Sequence, residues 1–389
     1  MSKILSLGLI GCGGISASHV NGLKELYTHG LKVVRVDAVC DIALENAERR
    51  AEEIALIQGF KPRVYSSLED MFSKESLEAV DICLPHDQHH SIAIRCLEED
   101  LHVLIEKPLA ITMRAAKLII DKATSKSRIL AVAENYRRTP DNRTVKWIMD
   151  QHMIGEPRMI FWLGLSWNPK PWGWRENKFK AGGSWVFDGG VHIADIDRYH
   201  LGREAVEVYA KNRIFEPFKD GVESTVDDAT LAIIEYEGDV YAQWSWSRIA
   251  PGYPLNLRVI YGSRGSIYMP GLTNFPSGYV RIQIDGYVEE RSISFIRSEA
   301  IKAIKPEILE EMFPRGITDS FAIEIYDFYR SIVYGLKPEV DGIEAYRDMA
   351  IPLAFYESAK LGEPVKVKDV EGLKVEEYQA EINEYLGLR

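Results

Sequence analysis

An apolar run at residues 4–10 (ILSLGLI) passes directly into Gly11-Cys12-Gly13-Gly14-Ile15-Ser16, and a helical pattern follows through Tyr27. Few folds accommodate that opening. A strand that breaks into glycines and restarts as a helix builds a phosphate cradle. The first glycine makes the tight turn, the second lets backbone approach a pyrophosphate, and the helix start supplies N–H donors with partial positive charge. Gly11, Gly13, Gly14 and Ile15 are therefore the expected dinucleotide contacts, with Ser16 standing where a third glycine often stands. A second strand is expected over 33–40 (VVRVDAVC), ending in Asp41. A carboxylate there accepts hydrogen bonds from both ribose hydroxyls and repels a 2′-phosphate, which favours NAD over NADP. Asp41 can equally cap a helix over 43–57, and the two roles are compatible.

Short strands near 64–65, 79–84, 103–105 and 129–133 then alternate with helical patterns at 68–72, 91–99 and 114–124. Alternation at this spacing means βαβ units and a parallel sheet, with ligands at the carboxyl ends of the strands. Pro85, the Glu106-Lys107-Pro108 corner after LHVLI, and Glu134, Asn135 and Tyr136 all fall on that edge. Lys107 follows a buried strand where it opens toward a crevice. Partial desolvation and a nearby cation push an ammonium toward losing its proton, which suits a proton-transfer group. His86, His89 and His90 crowd the loop after Pro85 without a carboxylate placed to complete a metal site, so a place beside the cofactor is the simpler role and no metal is expected.

At 389 residues, two domains are the first expectation. A hydrophobic share of 46% and a charged share of 27% describe an ordinary globular chain, and a net charge of −11 argues against a nucleic-acid partner. No apolar run approaches a membrane span and the first residues show no signal-peptide cleavage pattern, so a cytoplasmic location is expected. Cys12, Cys40, Cys83 and Cys96 lack metal-site spacing and read as reduced core thiols. Beyond residue 135 the character changes. A helix over 140–152 precedes β-type segments at 158–165, 205–213, 228–236, 240–247, 256–261 and 279–284. Two helices near 321–334 and 343–361 and a charged tail after Pro364 close the chain. The reading is a cofactor domain over 1–135 and a second domain over 136–389 on a mostly antiparallel sheet.

The second domain carries its own chemical cluster. In GGSWVFDGGVHIADIDR, Asp188, His192 and Asp195 share one helical face, and Gly189 and Gly190 imply that something approaches the backbone closely, a ligand being the natural candidate. A solvated face with a capping Asp is the plain alternative. Trp172 and Trp174, in the loop PKPWGWRENK, suit either lid packing or stacking on a sugar. Arg175 beside them suits either solvent or a substrate hydroxyl or carboxylate.

Together, GLIGCGGIS, VCD, LPHDQHH, HVLIEKPLA, AENYRR and DGGVHIADIDR resemble the glucose–fructose oxidoreductase / inositol dehydrogenase / MocA family, and the C-terminal helices look similar as well. The resemblance implies an α/β fold: an N-terminal Rossmann domain, then an α+β domain whose large, mostly antiparallel open sheet commonly pairs subunits into a homodimer or homotetramer. It implies that Lys107 lies beside nicotinamide and substrate, that His192 and Asp188 share proton transfer and substrate orientation, and that the bond before Pro108 is cis. Cofactor contacts are thereby expected from Pro85, His86, His89, Glu106, Lys107 and Asn135, with His86 a departure where relatives often carry Asn. Substrate contacts are expected from Lys107, Tyr136, Arg137, Trp172, Trp174, Arg175, Asp188 and His192. The expected activity is NAD(P)-dependent hydride transfer at a sugar, cyclitol or related polyol carbon. An NAD-dependent glycosidase using transient oxidation and a catalytically silent dinucleotide sensor are the rival readings.

Overall fold

The computed structural model describes residues 3–388 and divides into two compact units. One comprises the residues up to Ala110, Ala115–Asn135 and Glu307–Ala345; the other comprises Ile111–Arg114, Tyr136–Pro306 and the residues from Tyr346 onward.

The first unit is built on six parallel strands: β1 (Leu5–Ile10), β2 (Val34–Cys40), β3 (Arg63–Tyr65), β4 (Ala79–Ile82), β5 (His102–Glu106) and β6 (Leu130–Ala133). Their spatial order is β3-β2-β1-β4-β5-β6. Helices α1 (Ser16–Thr28), α2 (Leu44–Gln58), α3 (Leu68–Lys74), α4 (His89–Glu98) and α5 (Met113–Lys126) follow the strands in turn. Every residue of β4 and β6 is buried, as a parallel sheet covered on both faces requires. Strand order reverses between β1 and β4, so the ligand crevice of such a sheet opens at the carboxyl ends of those two strands.

In the second unit, α6 (Pro140–Asp150) leads into β7 (Pro157–Leu165). Short helices α7 (Lys178–Ala181) and α8 (Trp185–Asp188), the buried α9 (Gly190–Leu201) and β8 (Ala205–Arg213) come next. A small hairpin of β9 (Phe218–Lys219) and β10 (Val222–Glu223) precedes β11 (Ala229–Tyr236), β12 (Val240–Ser247), β13 (Leu255–Gly262), β14 (Gly265–Met269), β15 (Tyr279–Ile284) and β16 (Tyr287–Ser292). After α10 (Ile293–Ala303), α11 (Pro306–Met312), α12 (Ser320–Tyr334) and α13 (Gly342–Leu361), the chain ends in β17 (Val365–Lys366), α14 (Val367–Glu371) and α15 (Ala380–Tyr385). The nine-stranded sheet runs β16-β15-β14-β13-β7-β12-β11-β8-β17, antiparallel except where β7 lies parallel to β12. Its inner face buries Ile160, Trp162, Ile234, Tyr236, Trp244 and Ile260 almost completely. Helix α9 is locked to that face by Asp197, whose carboxylate pairs with the fully buried Arg258 and accepts from the Trp244 indole at 3.3 Å.

Three expectations need correcting. The charged stretch after Pro364 carries regular structure that was not expected: Val365 and Lys366 pair with β8, and two helices follow. Strand β16 went unread because its residues are mostly exposed, leaving no apolar alternation to see. Helix α12, read as part of the second domain, packs on α1 in the first unit, with Ile323, Phe328 and Tyr329 joining Leu23 and Leu26 in one core. Gly22 permits this, since a Cβ there would stand 2.8 Å from the Ala322 nitrogen. Among the described residues no helix is long and apolar enough to cross a membrane.

Candidate active site

At the open end of the first unit, Gly11 has φ +87°, and a Cβ on it would lie 2.3 Å from the Cys83 carbonyl oxygen. Only glycine makes this turn against β4. Around Gly13 and Gly14, by contrast, a Cβ would meet nothing within 4 Å, and no side chain caps the first turn of α1. A turn pinned behind and open in front is what a pyrophosphate cradle needs. Ser16 explains its own presence in place of a glycine. Its buried hydroxyl donates to the Gly13 carbonyl at 2.7 Å and accepts from the Arg50 Nε at 3.1 Å. Arg50, on α2, also reaches the Gly13 carbonyl at 3.0 Å, an anchor that sequence reasoning missed. Asp41 closes the arrangement: one carboxylate oxygen accepts the Cys12 N–H at 2.8 Å and the other the Ala43 N–H at 2.8 Å. Each oxygen keeps a lone pair for a ribose hydroxyl. Burial, reinforced by Asp41, pushes the Cys12 thiol up to about 12, so it is no nucleophile. All four cysteines are free and buried.

The Glu106-Lys107-Pro108 corner is held from behind. His19, on α1, is buried with Nδ1 2.8 Å from Asp81 and Nε2 3.1 Å from Glu106. Burial disfavours its charge, but Asp81 outweighs burial and raises the pKa well above the ordinary value. A carboxylate at each ring nitrogen is the arrangement that favours the charged imidazolium. The other Glu106 oxygen accepts the Lys107 N–H at 3.0 Å. Glu106, expected at the cofactor, is thereby a buried anchor for Lys107. The 107–108 peptide bond is cis. His89 is corrected likewise. It is fully buried, with its ring nitrogens 2.8 Å from the Pro108 carbonyl and 2.9 Å from the Leu84 carbonyl, so it ties two strand-end loops together and presents no ring nitrogen outward. Burial lowers its pKa to about 4. His86 is buried edge-on to that ring, Pro85 begins the short turn carrying it, and Asn135 donates to the Ser320 hydroxyl at 3.2 Å. The signal for His19 was legible: an aspartate inside the apolar strand AVDI demands a buried partner.

Within the second unit, Asp188, His192 and Asp195 are all buried, which removes the reading of a solvated face. They span α8 and α9 rather than one helix, the break falling at Gly189. The neighbour that needs a thin backbone there is Trp185, whose indole would lie 2.2 Å from a Cβ on Gly189; the expected ligand approach is replaced by this contact. Tyr136 stacks flat on the His192 imidazole, centroids 3.7 Å apart and 4° from parallel. Arg137, expected at the substrate, is buried instead. Its Nε bonds both Asp195 oxygens at 2.8 and 3.0 Å, and its guanidinium lies over Tyr199, which fixes the turn that carries Tyr136. Arg175 donates to Asp188 at 2.6 Å and lies 4.2 Å over the Trp174 ring. Trp172 lies 3.7 Å from the buried Arg248, a residue sequence reasoning passed over. Arg248 pins the tryptophan loop through Glu176 at 2.7 Å and the Asn168 carbonyl at 3.1 Å, so that loop is no free lid.

A glycine turn at the switch point of a six-stranded parallel sheet, with an acid ending the second strand, defines a Rossmann protein that binds a dinucleotide. The comparisons narrow this. Residues 5–134 match the model of an oxidoreductase family with an NAD-binding Rossmann fold, GFO/IDH/MocA, and residues 142–268 match the C-terminal domain of the same family. The chain belongs to that family and is an NAD-binding oxidoreductase.

Among curated relatives, it is 28% identical over 287 residues to the levoglucosan dehydrogenase of Pseudarthrobacter phenanthrenivorans, covering 68% of this chain and 73% of the relative. It is 24% identical over 264 residues to the myo-inositol 2-dehydrogenase of Thermotoga maritima, covering 68% and 75%. A solved levoglucosan dehydrogenase in complex with NADH shares the fold, with TM-score 0.79 and 24% identity over 94% of this chain and 99% of that one. The residues present fit the cofactor: Gly11 and Asp41 shape the turn, and Gly13 and Gly14 leave it open.

Proposed function

We propose that this oxidoreductase acts on a secondary CH–OH group of a sugar or cyclitol, with Lys107, His192 and Asp188 handling the proton. The observation that carries the reading is the Tyr136–His192 stack beside the Arg175–Asp188 pair, which fixes an imidazole and a carboxylate in the second unit. Bound NAD supplies the hydride acceptor. His192 would take the substrate hydroxyl proton, Asp188 would orient the substrate, and Lys107 would polarise the substrate oxygen and share the proton transfer. The Glu106 carboxylate holds the lysine's backbone N–H and is itself braced by His19, which also meets Asp81; this is the support a proton-transfer group needs to keep its position. Relatives named for inositol, levoglucosan and D-glucoside oxidation support the substrate class. Reduced, buried thiols suit a cytoplasmic location, and the exposed face of the large sheet suits a second copy of the chain.

Lys107→Ala is expected to lower kcat by at least ~100-fold while NAD affinity changes little. The test is NADH formation at 340 nm over a panel of monosaccharides, inositols and anhydrosugars, with NAD binding measured separately. Near wild-type turnover in the variant removes Lys107 from the chemistry. Inactivity of the wild-type protein across the whole panel overturns the proposed activity.

A further inference from the structure

Tyr136 does more than cover His192. The same ring lines a cavity of about 400 Å³ lying wholly within the second unit, whose walls include Trp172, Trp185, Trp246, Ser166, Asn256 and Thr273. That volume falls in the ~300–1,000 Å³ range of small-ligand sites. Its aromatic wall is rigid. Trp185 stacks between Trp162 and Trp246, with centroid separations of 5.4 and 6.0 Å, and Gly189 lets it lie on the backbone. Trp172 is held against Arg248, whose guanidinium is fixed by Glu176 and the Asn168 carbonyl. The polar groups among the lining residues are neutral apart from that engaged arginine: the hydroxyls of Ser166, Thr273 and Tyr136, the Asn256 amide and the tryptophan indole N–H groups.

One face of the Tyr136 ring is occupied by the imidazole, so the cavity meets its other face or its edge. His192 is not among the residues that line the cavity, and the Tyr136 ring borders both. A ligand part lodged there is not the part whose hydroxyl gives His192 its proton. Flat apolar rings with sparse neutral hydrogen-bonding groups at the margin are complementary to a pyranose, which presents C–H groups on its faces and hydroxyls at its rim. An anionic group would find Arg248 already paired with Glu176.

Resting on the proposed sugar oxidation, we propose that the substrate is a glycoside rather than a free monosaccharide, with a second sugar ring seated in this tryptophan-lined cavity. The test compares glucose and galactose, their methyl glycosides, and the disaccharides cellobiose, maltose and lactose. Methyl glycosides separate blocking of the anomeric carbon from occupancy of the cavity. At least one disaccharide is expected to show kcat/KM ten-fold or more above the matching methyl glycoside. Trp172→Ala is expected to bring that ratio to about one, chiefly through KM. Thr273→Trp, which fills the cavity without removing a packed ring, is expected to do the same. A ratio near one in the wild-type protein, or one unchanged in both variants, overturns the proposal.

A cofactor-free readout separates this inference from the activity it rests on. Titration of the wild-type protein with the three disaccharides is expected to give a saturable change in tryptophan fluorescence that Thr273→Trp weakens at least ten-fold. Saturable binding without NADH formation from any sugar supports the cavity assignment and overturns the proposed oxidation. No saturable change with any disaccharide overturns the cavity assignment, whatever the monosaccharides do.

Discussion

Asp41 shows how one side chain can serve fold and ligand together. Its two oxygens fasten the glycine turn at Cys12 and the start of α2 at Ala43, so both roles read from the sequence coexist in one carboxylate. Removing it loosens the cradle and takes away the group that repels a 2′-phosphate. Asp41→Ala is expected to raise the KM for NAD at least ten-fold and to shift the NADP-to-NAD ratio of kcat/KM upward by at least ten-fold. Steady-state kinetics with each cofactor checks this, and an unchanged ratio would remove Asp41 from cofactor selection. Other residues were legible only by type. Arg137 and His89 carry polar heads that suit a ligand, yet each is buried and bonded to its own chain. Sequence gives a side chain's chemistry. Its direction depends on what surrounds it.

At the scale of elements, β5 and β6 are joined by more than their ladder. His102, the first residue of β5, accepts the Ile129 N–H on its Nδ1 at 2.9 Å, which requires that nitrogen to be unprotonated. Burial, with Arg128 and Lys3 nearby, lowers its pKa to about 4. The ordinary value in an unfolded chain is about 6.5, so between the two the unfolded state binds more protons. The stabilisation is complete above about pH 6.5 and is lost as pH falls toward 4. Half-buried as the ring is, about 1–2 kcal/mol is expected once solvent screening is allowed for. Thermal midpoints of the wild type and of His102→Asn, measured from pH 7 to pH 4.5, should converge as acid is added. Parallel curves would discount the histidine. Element existence was largely legible here, because buried strands and amphipathic helices write their periods into the chain. Partnership was not: α12 carries an apolar face whose period says nothing of which surface it meets, and Gly22 on α1 decides that.

For the whole molecule, the outer face of the large sheet is its most conspicuous unfinished surface. Strand alternation puts Met159, Tyr209, Leu231, Ile233, Tyr241 and Tyr261 on that side, each at least 38% exposed. An apolar face of this kind suits the proposed pairing with a second copy of the chain, for which the same face would be self-complementary. Ile233→Glu is expected to halve the particle mass measured by light scattering after gel filtration. A wild-type protein that elutes as a monomer, or a variant of undiminished mass, would overturn the assembly.

The sequence by itself determined the βαβ alternation, the glycine turn, the acid that ends β2 and the family, because short-range periods and turn chemistry are local properties. The tertiary structure alone decided that His19 and Glu106 brace Lys107, that Trp185 claims Gly189, and that Tyr136 borders both His192 and a tryptophan-lined cavity. Those facts depend on residues far apart in the chain meeting in a packed interior, where burial forces every polar group to find a partner and every ring a surface.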